Sequence, residues 1–144
     1  MIKIICIGKI KEKFYRDAID EYLKRLSKYH KIVIEELPDS NIKAEKELIL
    51  KHINKKDYII TLEIEGKELT SKDLSQFIEK TLITNSNLTF IIGGSTGLDD
   101  EIKNLSDYKL SFSKLTFPHQ LFRVILLEQI YRSFKIINNE SYHK

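Results

Sequence analysis

An apolar run that stops abruptly at glycine, residues 88–98 (LTFIIGGSTGL), constrains this 144-residue chain more than any other stretch. Leu88, Thr89, Phe90, Ile91 and Ile92 are mostly strand formers. Gly93, Gly94 and Gly97 then permit a sharp turn and a close approach to the backbone. In α/β proteins such a loop, at the carboxyl end of a buried strand, is where ligands bind. A second polar loop follows a short strand, reading LSFSK over residues 110–114 and LTFPHQ over 115–120. A long helix runs from there towards the C-terminus. The two loops together predict a nucleotide or nucleoside pocket.

Strand and helix signals alternate along the rest of the chain. Residues 2–8 read as a buried strand of β-branched side chains. Helical spacing over 12–29 puts Phe14, Ala18, Ile19, Tyr22, Leu23 and Leu26 on one face. A strand at 32–37, a helix at 42–53 and a strand at 58–64 follow. Thr70 or Ser71 then caps a helix running to about residue 82. After the glycine loop come a short helix at 99–105, a strand at 108–112 and a last helix starting near Pro118. The alternation predicts an α/β class with a mainly parallel sheet and helices on both faces.

Bulk properties fit one domain over 1–144, with 42% hydrophobic and 31% charged residues. No apolar run approaches the roughly 20 residues that span a bilayer, and the opening residues lack the small-residue cleavage site of a signal peptide. The lone Cys6 reads as a small buried hydrophobe. These features predict a cytoplasmic chain with no membrane partner. A net charge of +3 permits an acidic partner such as RNA without requiring one.

Two phosphate-binding fingerprints are excluded. Gly8 stands alone after the first strand, which rules out the dinucleotide pattern, and no Gly-Lys-Ser or Gly-Lys-Thr occurs for a P-loop. A ligand-free tight turn stays open as the other reading of the glycine loop. In the last helix, Leu121, Phe122, Val124, Ile125, Leu126, Leu127 and Ile130 surround the axis, which implies burial on more than one side. Glu128 and Arg132 stand at i and i+4 and can pair. Periodicity alone makes Arg123 a solvated residue, and position alone makes the terminal SYHK a frayed tail.

IIGGSTGL, then LSFSKLTFPHQLFRVILLEQIYRSFKI and a terminal SYHK, resemble the bacterial 23S rRNA pseudouridine-N3 methyltransferases. These belong to the SPOUT class of S-adenosylmethionine-dependent RNA methyltransferases. The resemblance extends to the opening KIICIGKIKEKFYRDAIDEYLKRL and to TLEIEGK. It implies a C-terminal deep trefoil knot, with a knotted cofactor-binding part over about 58–144, although general topology rules alone predict an unknotted sheet. It also implies a homodimer with the pocket near the subunit interface, and action on the assembled ribosome. No metal is implied, because the sulfonium of S-adenosyl-L-methionine already carries an activated methyl group.

Carried over by position, the cofactor pocket implied by the resemblance uses Leu62, Gly93, Phe112, Ser113, Lys114, Leu115, Thr116 and Phe117. Gly93 and Gly94 are expected to leave room for ribose and methionine. His143, Arg132 and Tyr142 are the catalytic candidates: a base or an anion stabiliser at N3, with Tyr142 orienting the nucleotide. His143 is expected to act on the partner's cofactor, while Arg123 and His119 are expected to position phosphate or cofactor. The chain departs from the family pattern mainly by being shorter between residues 39 and 53, outside the implied pocket. Two alternatives remain: a SPOUT enzyme for another RNA such as tRNA, and a non-catalytic ribosome-binding protein of the same fold.

Overall fold

The computed structural model describes residues 1–143. Five strands and five helices alternate: β1 (Ile2–Ile7), α1 (Lys13–Leu26), β2 (Ile32–Leu37), α2 (Ile42–His52) and β3 (Tyr58–Glu68) come first. They are followed by α3 (Ser71–Thr84), β4 (Leu88–Ile92), α4 (Asp100–Leu105), β5 (Tyr108–Ser111) and α5 (His119–Ile137). All strands pair in parallel, in the order β2-β1-β4-β3-β5.

A parallel sheet covered by helices must bury both faces of its central strands. β1 shows how the sequence meets that demand. Ile2, Ile4 and Cys6 enter the core shared with α1, α3 and α5, while Ile5 and Ile7 enter the one shared with α2 and α4. β4 does the same, with Leu88, Phe90 and Ile92 on one side and Ile91 on the other. Cys6 is the buried hydrophobe its surroundings predict, and burial pushes its thiol up to about 11. Asn41, Thr70 and Asp99 cap α2, α3 and α4 by accepting backbone N–H bonds from Ala44, Asp73 and Glu101.

Two departures from the sequence reading matter for the site. β3 continues to Glu68 rather than stopping at 64. Its pairing with β5 jumps from Leu62↔Leu110 to Lys67↔Leu110, so the intervening residues form a bulge. Gly66, beyond the expected strand end, lies in the strand with its backbone tight against β5. A Cβ there would stand 2.8 Å from backbone atoms of Lys109 and Leu110.

The second departure corrects the solvated reading of Arg123, which is 1% exposed. Its guanidinium donates to the carbonyls of Ile7 (2.9 Å) and Gly8 (2.6 Å) and to Glu36 Oε2 (2.7 Å). Glu36 Oε2 also accepts the Ile10 N–H, and Gln120 Oε1 accepts that of Lys11. The first turns of α5 are therefore tied to the turn leaving β1, where Gly8 adopts φ +91°. Arg123→Met should leave two carbonyls and one carboxylate without their donor. With Glu36 partly solvated, the expected cost is about 2–3 kcal/mol, read in thermal melts as a fall of roughly 5–10 °C. An unchanged melting temperature would mean that these bonds do not hold α5.

Candidate functional site

Strands β3, β4 and β5 end side by side, and the chain segments leaving them enclose a cavity of about 330 Å³. Its position outside the carboxyl ends of parallel strands is where open α/β sheets bind ligands. Leu62, Gly93, Phe112, Ser113, Leu115, Thr116 and Phe117 all line it, as does His119. Lys114 is exposed and is not among the lining residues. The sequence reading missed Glu63, Glu65, Leu98, Lys103 and Phe122, which also line the cavity. Glu63 and Glu65 sit in the β3 bulge that sequence pattern rendered as a strand end.

An aromatic wall closes one side. Phe122 of α5 packs edge-on against Phe112, with centroids 5.0 Å apart, and lies 6.2 Å from Phe117. The 112–117 loop holds itself in shape: Ser111 donates to the Ser113 carbonyl, and Ser113 Oγ accepts the Leu115 N–H. Leu115 is left 72% exposed at the rim. Such an apolar side chain at the mouth of a cavity is poised to cover a flat ring.

The glycines have a packing role that the sequence did not announce. A Cβ on Gly93 would stand 2.8 Å from the carbonyl of Gly97, and one on Gly94 would stand 3.0 Å from Ile7 Cγ2. Glycine at these positions therefore lets the loop fold onto itself and onto β1, while both residues also line the cavity. The Gly97 N–H closes the loop on the Gly94 carbonyl at 3.0 Å, with Gly97 at φ +79°.

Behind this loop stands Glu45 of α2, 2% exposed. Its Oε2 accepts the Ser40 N–H, whereas the buried Oε1 has no partner among the described residues. Oε1 lies 3.5 Å from the point where a Gly94 Cβ would sit. Burial raises the Glu45 carboxyl above its ordinary range, and neighbouring Asp39 adds to this. No residue of the 39–53 segment lines the cavity, yet its Glu45 backs the glycine loop.

The tail is docked rather than frayed. Tyr142 donates to Glu128 Oε2 at 2.7 Å and packs edge-on against Tyr131, with centroids 5.0 Å apart. Arg132 pairs with Glu128 at 2.8 Å, lies over the Tyr142 ring at 4.8 Å and stands 3.0 Å from His143 Nδ1. Burial and the Glu128 bond push the Tyr142 hydroxyl up, so it stays a donor. Arginine only donates, so His143 Nδ1 accepts and the ring hydrogen sits on Nε2. Lys144 lies outside the described residues.

None of Arg132, Tyr142 and His143 lines the cavity of its own chain. Phe122 does, and Arg132 stands nearly three turns further along α5, roughly 15 Å at 1.5 Å per residue. The structure thus gathers the candidates into two groups, one at the cavity beside the start of α5 and one near its end. Arg123 belongs to neither, because its guanidinium is committed to the fold. Among the described residues, no three His, Cys, Asp or Glu side chains gather as a metal site requires, and no helix is long and apolar enough to cross a membrane.

Residues 1–143 match the family described as predicted SPOUT methyltransferase. The chain belongs to the SPOUT methyltransferase family. Two relatives of this SPOUT chain, both named ribosomal RNA large subunit methyltransferase H, come from Clostridium botulinum strains Kyoto / Type A2 and 657 / Type Ba4. They are 54% and 52% identical to it over 157 residues, covering 99% of this chain and 99% of each relative. A solved methylase-family structure from Haemophilus influenzae Rd KW20 superposes with a TM-score of 0.59 at 10% identity, covering 99% of this chain and 70% of that one. That likeness concerns the fold alone.

Glu45 sets a pH dependence in this SPOUT chain. A carboxyl raised on folding favours the native state when protonated, and that contribution is lost as pH rises through its folded pKa. Glu45→Gln should therefore be more stable than the parent above neutrality, by roughly 1 kcal/mol. The advantage should vanish as pH falls through the ordinary carboxylate range. Denaturant midpoints at two pH values read this directly, and an advantage independent of pH would contradict it.

Proposed function

We propose that this chain transfers a methyl group from S-adenosyl-L-methionine to N3 of a pseudouridine in 23S rRNA, on the assembled large subunit in the cytoplasm. The carrying observation is the cavity at the ends of β3, β4 and β5, whose lining includes every position implied for this cofactor except Lys114. The donor set fits: Leu62, Phe112, Leu115 and Phe117 offer apolar walls for the adenosine. Glu63 and Glu65 suit the positive sulfonium and ammonium, and Lys103 suits the carboxylate. When bound, the cofactor supplies the activated methyl group. We also infer that loops 93–98 and 112–117 belong to a trefoil knot, as in the family.

The separation along α5 supports a homodimer in which the tail of one copy serves the cavity of the other. Leu121, Val124 and Ile125 of α5 are only half-buried in the single chain, which leaves apolar surface for a partner. In that arrangement Tyr142 orients the base, held by Glu128 and the Arg132 cation. With its hydrogen on Nε2, His143 is a donor to the imide oxygens as negative charge develops, not the base that removes the N3 proton. Arg132 adds fixed positive charge, and the proton leaves to water. His119 lies at the cavity wall and holds the nucleotide or the cofactor. No substrate role falls to Arg123.

The purified protein, incubated with labelled S-adenosylmethionine and ribosomes lacking the modification, should label a pseudouridine of the large-subunit RNA. Label on tRNA instead, or cofactor binding without any transfer, would contradict the reading. His143→Ala should slow transfer by about 10²–10³ with cofactor binding intact, the cost of one lost oxyanion donor. His143→Gln, which keeps a donor, should retain more activity. Equal losses in the two variants would restore the role of base to His143.

A further inference from the structure

Cations and tyrosines alternate where α1 and α5 end, remote from the cavity. The Arg25 guanidinium lies 5.5 Å from the Tyr22 centroid and 5.7 Å from that of Tyr131. Lys135 Nζ lies 5.5 Å from Tyr131 and 5.8 Å from Tyr29, and Lys28 Nζ stands 5.0 Å from Tyr29. Tyr131 in turn packs on Tyr142. A continuous line of contacts therefore joins the end of α1 to the docked tail.

Charge at this corner is unbalanced. Glu21 pairs with Arg25 at 3.0 Å, Glu140 with Lys135 at 3.2 Å, and Glu128 with Arg132 at 2.8 Å. Lys24, Lys28 and Lys31 are exposed and enter no ion pair among the described residues. With those three pairs neutral, Lys24, Lys28 and Lys31 leave a local surplus as large as the net charge of +3 carried by the whole chain. A cation seated over a ring is held in place before a partner arrives, which lowers the ordering cost of binding. Fixed cations interleaved with aromatics suit the phosphate backbone of RNA.

We propose that Lys24, Arg25, Lys28 and Lys31, with Arg25 and Lys28 seated over Tyr22, Tyr29 and Tyr131, form a phosphate-binding ledge for ribosomal RNA flanking the nucleotide that the tail engages. The inference rests on the proposed function and names the surface by which a chain of modest net charge holds its large substrate. Phosphate contacts position without reading sequence, so the ledge should govern affinity and salt dependence rather than the choice of base.

The test compares Lys28→Glu/Lys31→Glu with Lys43→Glu/Lys51→Glu, which changes the charge equally on exposed positions of α2, across the sheet. The ledge variant should raise KM for unmodified large subunits about tenfold or more and flatten the slope of log KM against log salt by about 2. Turnover at saturating subunits and cofactor affinity should stay as in the parent. The α2 variant should remain within about twofold of the parent, a surface-level effect. Equal effects of the two variants, or no effect of the ledge variant, would overturn the proposal. So would loss of subunit affinity with undiminished, salt-dependent retention of poly(U), because the contact would then lie on ribosomal protein. A parent protein that labels no ribosome would sink the functional reading instead. The poly(U) comparison would then decide the ledge alone: weaker, less salt-dependent retention of the ledge variant supports it, and parent-like retention overturns it.

Discussion

Arg123 is a buried cation that bonds to main-chain carbonyls rather than to a ligand, and the placement of α5 depends on it. Its guanidinium reaches the carbonyls of Ile7 and Gly8 and the Glu36 carboxylate, joining the first turns of α5 to the exit of β1. Phe122, one residue earlier, is thereby set against Phe112 and Phe117 as the aromatic wall of the cavity. From that fixed start α5 runs to the opposite end of the sheet, where Phe134 stacks on Tyr29 and the tail folds back onto Tyr131. One anchored helix therefore carries cavity wall at its beginning and the polar tail cluster near its end.

Much of the fold was legible because burial leaves a plain pattern. Strands flanked by helices on both faces need near-continuous apolar runs, and IKIICI at 2–7 and LTFII at 88–92 supply them. The β3 bulge was not legible: Gly66 between charged residues has the local chemistry of a turn, and only its closeness to β5 reveals a strand. Arg123 was hidden for a related reason. Nothing in helical spacing announces three acceptors contributed by β1 and β2, so a charged residue reads as solvated until the tertiary contacts are known.

The candidate site divides along the same line. The lining of the cavity followed from the two loops and the family resemblance, because chain segments leaving neighbouring strands converge regardless of detail. The packing role of the glycines did not follow, since only the folded loop brings Gly93 against Gly97 and Gly94 against Ile7. Glu45 was missed because an acid inside an amphipathic helix signals solvent, whereas here it is buried behind the glycine loop. The tail was misjudged from position alone: a terminus frays unless its side chains find partners, and Tyr142 finds Glu128 and Tyr131.

In the proposed homodimer the cavity of one chain works with the tail of the other. Subunit mixing tests it most directly. Leu115→Glu, at an exposed rim position, should disable the cavity, and His143→Ala should disable the tail. Each variant alone should be nearly inactive. Mixed and allowed to exchange subunits, they form some dimers that retain one intact cavity facing one intact tail. Recovery of methyl transfer to about a quarter of the parent level, from half of the dimers with one working site each, is the predicted result. Activity that never rises above that of the separate variants, despite demonstrated exchange, would contradict the account.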